Sequence, residues 1–201
     1  MVRRRLLLLS ATLMLPLAAC DQPASPPSPP TAPAVPAAPA APATPAEDPN
    51  GPLTPPNPGE PGGLPDDRTP LDESPFTPQS AQGAGTVTET YFALLHEGRF
   101  DEAYKLWGGA GEASNMTLEA FKASFDAYQS IQANVGKPGE IEGAAGSLYI
   151  EIPVQVYGRY KTGPQYNLLG KATLKRVNDV PGSTAEQRKW HIVKVEVVQT
   201  P

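Results

Sequence analysis

The sequence predicts an α+β domain over residues 83–201, with N-terminal helices packed on a curved antiparallel sheet. Two changes along the chain support this prediction. Twenty of the 26 prolines lie between Pro23 and Pro78, a density that excludes this stretch from a packed core. After Ser130 the period of the apolar residues changes from 3.6 to 2, which marks the passage from helices to strands.

Three apolar stripes predict the helices. The first runs from Val87 to Leu95 at the spacing i, i+4, i+7, i+8, and Gly98 follows as a C-cap. The second runs from Phe100 to Trp107 and has two acidic residues in its first turn, where the helix dipole favours them. The third follows the predicted N-cap Thr117 and consists of Leu118, Phe121, Phe125 and Tyr128.

Alternating apolar residues predict four strands. A short strand covers residues 131–135, and a long one has a wholly aliphatic face, formed by Leu148, Ile150, Ile152, Val154 and Val156. The next strand continues on one face through Leu168, Gly170, Ala172 and Leu174. In the last strand, residues 190–198, Trp190 and Ile192 differ in parity from the valines that follow. Either a bulge near Ile192 reconciles the two parities, or both faces are covered.

The order of these elements is similar to that of a known superfamily. The helix Tyr91-Phe92-Ala93-Leu94-Leu95, the turn into Gly98-Arg99-Phe100-Asp101-Glu102-Ala103-Tyr104 and the closing strand resemble the nuclear-transport-factor-2-like, or cystatin-like, superfamily. The resemblance covers residues 84–198 and implies a cone between helices and sheet. The superfamily contains isomerases, dehydratases, polyketide cyclases, adaptors and accessory domains of envelope proteins, so the fold by itself does not select an activity.

Residues 1–19 have the composition of an export signal. Three arginines precede an apolar run from Leu6 to Leu17, which is shorter than the roughly 20 residues of a membrane-spanning helix. The sequence Leu17-Ala18-Ala19-Cys20 resembles the lipobox of bacterial lipoproteins. The resemblance implies cleavage before Cys20 and a diacylglyceryl group on its sulfur. A secretory signal with a chance cysteine, or an uncleaved anchor, is the other interpretation.

Residues 20–82 are predicted to form a disordered, proline- and alanine-rich linker that begins with the lipidated Cys20. Few of these residues are large and apolar, too few to offset the entropy of ordering the chain. The segment carries eight acidic residues and one basic residue, Arg68. A spacer is the simplest interpretation, and docking of its proline motifs to a partner is the other.

Composition excludes several chemistries. Cys20 is the only cysteine, so lipidation leaves no disulfide and no thiolate metal site. Residues 83–201 hold thirteen acidic and twelve basic side chains, without the basic stripe that nucleic-acid binding needs. With only His96 and His191 available, no metal-ligand cluster, phosphate loop or Ser/His/Asp order can be assembled. We therefore predict no catalytic residue, no metal and no cofactor.

Two candidate sites follow from strand parity. His191 alternates with Val193, which allows an inward position beside Trp190 in a candidate pocket; a packed or surface histidine is the simpler interpretation. The outer face of the long strand predicts a candidate interface, or a solvated face, made of Tyr149, Glu151, Gln155 and Tyr157. His96, at the end of the first helix, suits a capping role.

These observations predict an envelope lipoprotein, held to a bacterial membrane through Cys20, that presents a non-catalytic binding or assembly domain on its linker. The domain would face the periplasm or the cell exterior and meet an envelope protein or a second copy of itself. Asp21 resembles an inner-membrane retention signal, which leaves the choice of membrane open. The alternative function is a small-molecule enzyme or carrier that uses the cone.

Overall fold

A computed structural model describes residues 51–68 and 76–200 of the 201-residue chain. The predicted signal peptide, Cys20 and the first part of the linker lie outside the described residues. The described residues belong to one compact unit. Within them, no helix has the length and apolar content needed to cross a bilayer.

Helices precede strands, as predicted. The helical elements are α1 (Ala81–His96), α2 (Phe100–Lys105), a single 3₁₀ turn (Glu112–Ser114) and α3 (Leu118–Ala123). The strands are β1 (Tyr128–Val135), β2 (Glu142–Ala144), β3 (Ser147–Tyr160), β4 (Gln165–Val177) and β5 (His191–Gln199). The strands are antiparallel in the order β1-β3-β4-β5, and β2 also pairs with β3. The α+β class is therefore confirmed, with a helical segment packed on an antiparallel sheet.

One face of the sheet forms the core. Ile150, Ile152 and Val154 of β3 are fully buried or nearly so, as the aliphatic alternation predicts. Their β4 partners Leu174, Ala172 and Gly170 lie opposite them in register. The helices cover this inner face with large side chains, since Tyr91, Phe92, Trp107 and Phe121 are also buried.

A bulge in β5 resolves the conflict of parity. The register with β4 shifts between Thr173 and Leu174, so that Thr173 pairs with Lys194 whereas Leu174 pairs with Ile192. Val193 is the extra residue. Ile192 and Val195 therefore both lie on the inner face, although they differ in parity. The predicted bulge near Ile192 is confirmed.

The structure corrects the predicted linker over residues 51–68, which we call the strap. The strap was expected to be disordered, but it lies against the outer face of the sheet, the face opposite the helices. The amide of Gln155 donates hydrogen bonds to the carbonyls of Pro56 (3.1 Å) and Gly62 (3.2 Å), and that of Asn167 donates to Gly62 (2.8 Å). Leu64 is 6% exposed.

Local turns prepare the strap for this position. The amide of Gly59 donates to the carbonyl of Leu64 at 2.8 Å, and the amide of Gly63 donates to that of Glu60 at 2.9 Å. Proline narrows the unfolded ensemble of this segment and so lowers the entropy lost on ordering. Burial of Leu64 contributes about 1.5–3 kcal/mol.

Candidate functional site: the cavity between helices and sheet

A cavity of about 200 Å³ lies between the helices and the inner face of the sheet. Its lining is mostly carbon, supplied by every layer of the domain: Phe92 and Leu95 of α1, Phe121 of α3, Val156 of β3, and Val195 and Val197 of β5. The Phe121 and Phe125 rings meet edge to face, with centroids 5.1 Å apart. Aromatic packing has therefore filled most of the space between helices and sheet, and a small chamber is left.

Three tyrosines are the ionisable groups of this lining. Burial raises the pKa of Tyr91, Tyr128 and Tyr166 above the ordinary value for a phenol. Tyr160 adds to the rise in the pKa of Tyr128, and both Tyr128 and Tyr160 add to that of Tyr166, whose ring lies 5.0 Å from the Tyr128 ring. Each hydroxyl thus stays protonated at neutral pH. The cavity offers neutral hydrogen-bonding groups, and none of these hydroxyls is poised to act as a general base.

Tyr166 is fixed by the sheet itself. Its hydroxyl donates to the carbonyl of Ser130 at 2.9 Å, which ties β4 to β1 across β3. Sequence reasoning began this strand at Leu168 and so missed Tyr166. The signal was present, because Tyr166 shares the parity of Leu168 and Gly170 and pairs with Gly158 on the inner face.

Trp107 brings a buried donor to the same cavity. Its indole nitrogen is shielded from solvent and has no aligned hydrogen-bond acceptor among the described residues. Its ring meets Tyr91 edge to face at 6.2 Å, and the indole N–H partly offsets the rise in the pKa of that tyrosine. The contact between the two side chains is electrostatic and is not an aligned hydrogen bond. Trp107 was predicted as a core residue only.

Neither His191 nor Trp190 lines the cavity between helices and sheet. Trp190 is buried, and its indole N–H donates to the carbonyls of Gln79 and Ser80, just before α1. His191 pairs with Lys175 on the outer face, and its Nε2 lies 3.0 Å from the carbonyl oxygen of Glu186. The bulge at Val193 is the physical reason, since alternation counted back from the later valines places His191 on the wrong face.

His96 also differs from its predicted role. The residue ends α1, but its Nδ1 lies 2.8 Å from the carbonyl oxygen of Ile131 in β1. The side chain therefore joins the helix to the edge strand. Within residues 51–68 and 76–200, no group of three or more histidine, cysteine or acidic side chains is arranged to hold a metal ion.

The four residues of the candidate interface have different environments. Gln155 is fully buried beneath the strap, and Tyr157 borders the same segment. Glu151 forms an exposed ion pair with Lys171 at 2.7 Å, and the ammonium of Lys175 lies 5.6 Å from the ring of Tyr149. Gln155 is therefore unavailable to a second copy while the strap is docked. The homodimer stays a prediction.

Comparison with known proteins adds little. No protein-family model matches the chain, and no curated protein matches it. Among solved structures, the chain is similar to the Kfla4162 protein from Kribbella flavida, with 12% identity over 61% of this chain and 93% of that chain and a TM-score of 0.43. A likeness of this degree is too low to assign a function.

Proposed function

We propose that this chain is a lipid-anchored envelope protein whose α+β domain binds a partner and does not catalyse a reaction. The ending Leu17-Ala18-Ala19-Cys20 supports the anchor. A lipidated cysteine with two or more acyl chains holds a protein stably at a membrane, whereas one chain binds only marginally. We also propose that the helices and the curved sheet form the cone of the nuclear-transport-factor-2-like superfamily, which the element order and the cavity between helices and sheet support.

The ionisable groups and the volume of the cavity support a binding role. Acid–base catalysis needs a group whose pKa lies near the working pH. The ionisable lining groups are tyrosines whose pKa values burial raises further from neutrality. The cavity is also smaller than the 300–1,000 Å³ typical of small-molecule sites. A domain with this interior is suited to present its surface to a partner.

Replacement of Cys20 by serine tests the anchor. The hydroxyl cannot accept the lipid that a thiol accepts, so we expect Cys20→Ser to move the protein from the detergent phase to the aqueous phase of a Triton X-114 partition. Mass spectrometry of the wild-type chain should find the lipid on residue 20. Ser10→Ala, within the predicted signal, is the matched control and should leave the partition unchanged. If the Cys20→Ser protein still enters the detergent phase, the anchor is wrong.

A small-molecule carrier is the second candidate. The observation that favours it is the indole N–H of Trp107, a buried donor without an aligned acceptor in the cavity wall. Buried polar groups without a partner are costly, and a ligand oxygen would satisfy this one. Apolar cavities of about 150 Å³ bind single aromatic rings, so this cavity of about 200 Å³ fits a ring bearing one hydroxyl.

Titration with p-cresol and toluene separates the two candidates. The soluble chain carrying Cys20→Ser is used, and binding is followed by calorimetry. A carrier should bind p-cresol saturably with one site per chain, and Trp107→Phe should weaken p-cresol and leave toluene unchanged, since only p-cresol can accept the indole N–H. Absence of saturable binding of either compound at millimolar concentration would exclude the carrier and favour the partner-binding role.

A further inference from the structure

We propose that the outer face of the sheet is a peptide-binding groove and that its occupant is the strap, residues 51–68 of the same chain. The groove binds main-chain carbonyls, so its ligand class is a turn-containing segment rich in proline and glycine. The proposal rests on the proposed function in one respect, namely that the domain binds and does not catalyse. It does not depend on the lipid anchor.

The hydrogen bonds of the groove are directed at the strap backbone. Gln155 Nε2 donates to the carbonyls of both Pro56 and Gly62, and Asn167 Nδ2 donates to Gly62. A guanidinium nitrogen of Arg159 donates to the carbonyl of Gly51. These three donors come from β3 and β4, on the outer face. A groove that binds carbonyls recognises the backbone conformation more than particular side chains. Here the bound backbone turns at Gly59 and Gly62, which have positive φ, and the prolines have no N–H that would need an acceptor.

Gln155 is oriented for this contact by Asn134 of β1. It is fully buried, and its Oε1 accepts from Asn134 Nδ2 at 2.9 Å. That bond fixes which end of the amide faces the strap and leaves both protons of Nε2 for the carbonyls. A glutamine in the middle of a sheet face, bonded on both sides, is costly to bury unless its donors are used. The strap is the group that uses them.

The strap also matches the groove in shape. Gly62 has a φ of +83°, and a Cβ at this position would lie 3.1 Å from Thr200 Oγ1 and 3.3 Å from Asn167 Nδ2. Glycine therefore suits the position both in conformation and in space. Leu64 packs beside Gly136, where a glycine Cβ would lie 3.5 Å from its Cδ2. Lys137 and Asp67 add an ion pair at 3.6 Å.

Two features indicate that the strap is a releasable ligand and not part of the core. Pro52, Pro58, Pro61 and Pro65 are exposed, so Leu64 is the large apolar side chain that the strap buries. Asn167 Oδ1 is buried and has no donor among the described residues while the strap is docked. The groove thus has an acceptor that the strap does not satisfy. A bound strap that leaves one buried acceptor of the groove unpaired is suited to exchange with another ligand.

Limited trypsin digestion tests the proposal on residues 20–201, produced without the signal and carrying Cys20→Ser. Arg68 is the only basic residue between 20 and 82, and its side chain is 86% exposed, so one cut separates residues 20–68 from the domain. Native mass spectrometry should find the two fragments as a one-to-one complex. Gly62→Ala should weaken that complex about tenfold, because a left-handed conformation is costly for alanine. Pro58→Ala, at an exposed strap position, is the matched control and should not.

A substitution in the groove tests whether the domain, and not only the strap, determines the binding. Gln155→Met keeps the volume and removes both donors, and we expect about tenfold weaker binding of the 20–68 fragment, whereas Tyr149→Phe on the same face should bind normally. Separation of wild-type fragments even at millimolar concentration, or equal binding by Gly62→Ala and wild type, would overturn the groove. Complexes with two copies of each fragment would overturn docking within one chain and show exchange between copies.

Discussion

Trp107→Ala is expected to lower the free energy of unfolding by about 3–5 kcal/mol, the range of large core truncations. Trp107 is 9% exposed and packs edge to face on Tyr91, and its ring adjoins the cavity of about 200 Å³. Truncation to alanine would merge the vacated volume with that cavity. The neighbouring aromatic rings are held from several elements, so they cannot collapse into the space. Urea denaturation of the soluble Cys20→Ser chain, followed by circular dichroism, measures the effect.

Two control variants separate the causes of this loss. Trp107→Phe keeps a large ring and removes an indole N–H that has no aligned acceptor, so it should cost much less than alanine. His191→Ala lies on the outer face, where the ring contacts the carbonyl of Glu186, and should change stability little. Equal losses for Trp107→Ala and Trp107→Phe would contradict the packing explanation, since the hydrogen-bonding group would then be responsible.

Gly170→Ala is expected to destabilise the domain by at least about 3 kcal/mol, beyond the usual cost of overpacking. Gly170 lies in the middle of β4, and a Cβ there would lie 1.8 Å from the carbonyl oxygen of Glu196 in β5. That oxygen belongs to the main chain of a paired strand, so it can move only if β4 and β5 separate. The midpoint and slope of urea denaturation of the soluble chain give the change in free energy.

Gly143→Ala provides the comparison for this prediction. Gly143 is also in a strand, but a Cβ there would lie 3.7 Å from Leu148 Cδ2, an ordinary contact. We expect a change within about 0.5 kcal/mol for this surface position. If Gly170→Ala is as stable as Gly143→Ala, then β4 and β5 adjust to each other more freely than their close approach indicates.

Composition alone gives the wrong prediction for the strap, which is part of the linker. Counting apolar residues in residues 20–82 predicts disorder, because each segment is judged by the core it can build alone. The strap does not build a core. Its carbonyls meet amide donors 93 to 105 residues away, and a long sequence separation of this kind has no local signal. Only the folded sheet brings Gln155 and Asn167 to the same segment.

The face of His191 was predicted wrongly because of one β-bulge in β5. Alternation is a property of a continuous strand, and it places Val195 and Val197 on one face with His191. The bulge inserts Val193 and reverses the parity before it, so His191 pairs with Lys175 outside. The conflict between Ile192 and the valines was readable in the sequence. The sequence does not show which residues change face, because that depends on the register of β5 against β4.

The sequence by itself determined the order of helices and strands and the aliphatic inner face of β3. These properties depend on local periodicity and composition, which the chain carries at every point. The tertiary structure decided that Tyr91, Tyr128 and Tyr166 share one cavity, that Gly170 is needed for close approach, and that the strap covers Gln155. Each of these depends on the distance between groups far apart in the chain, and only the packed sheet sets those distances.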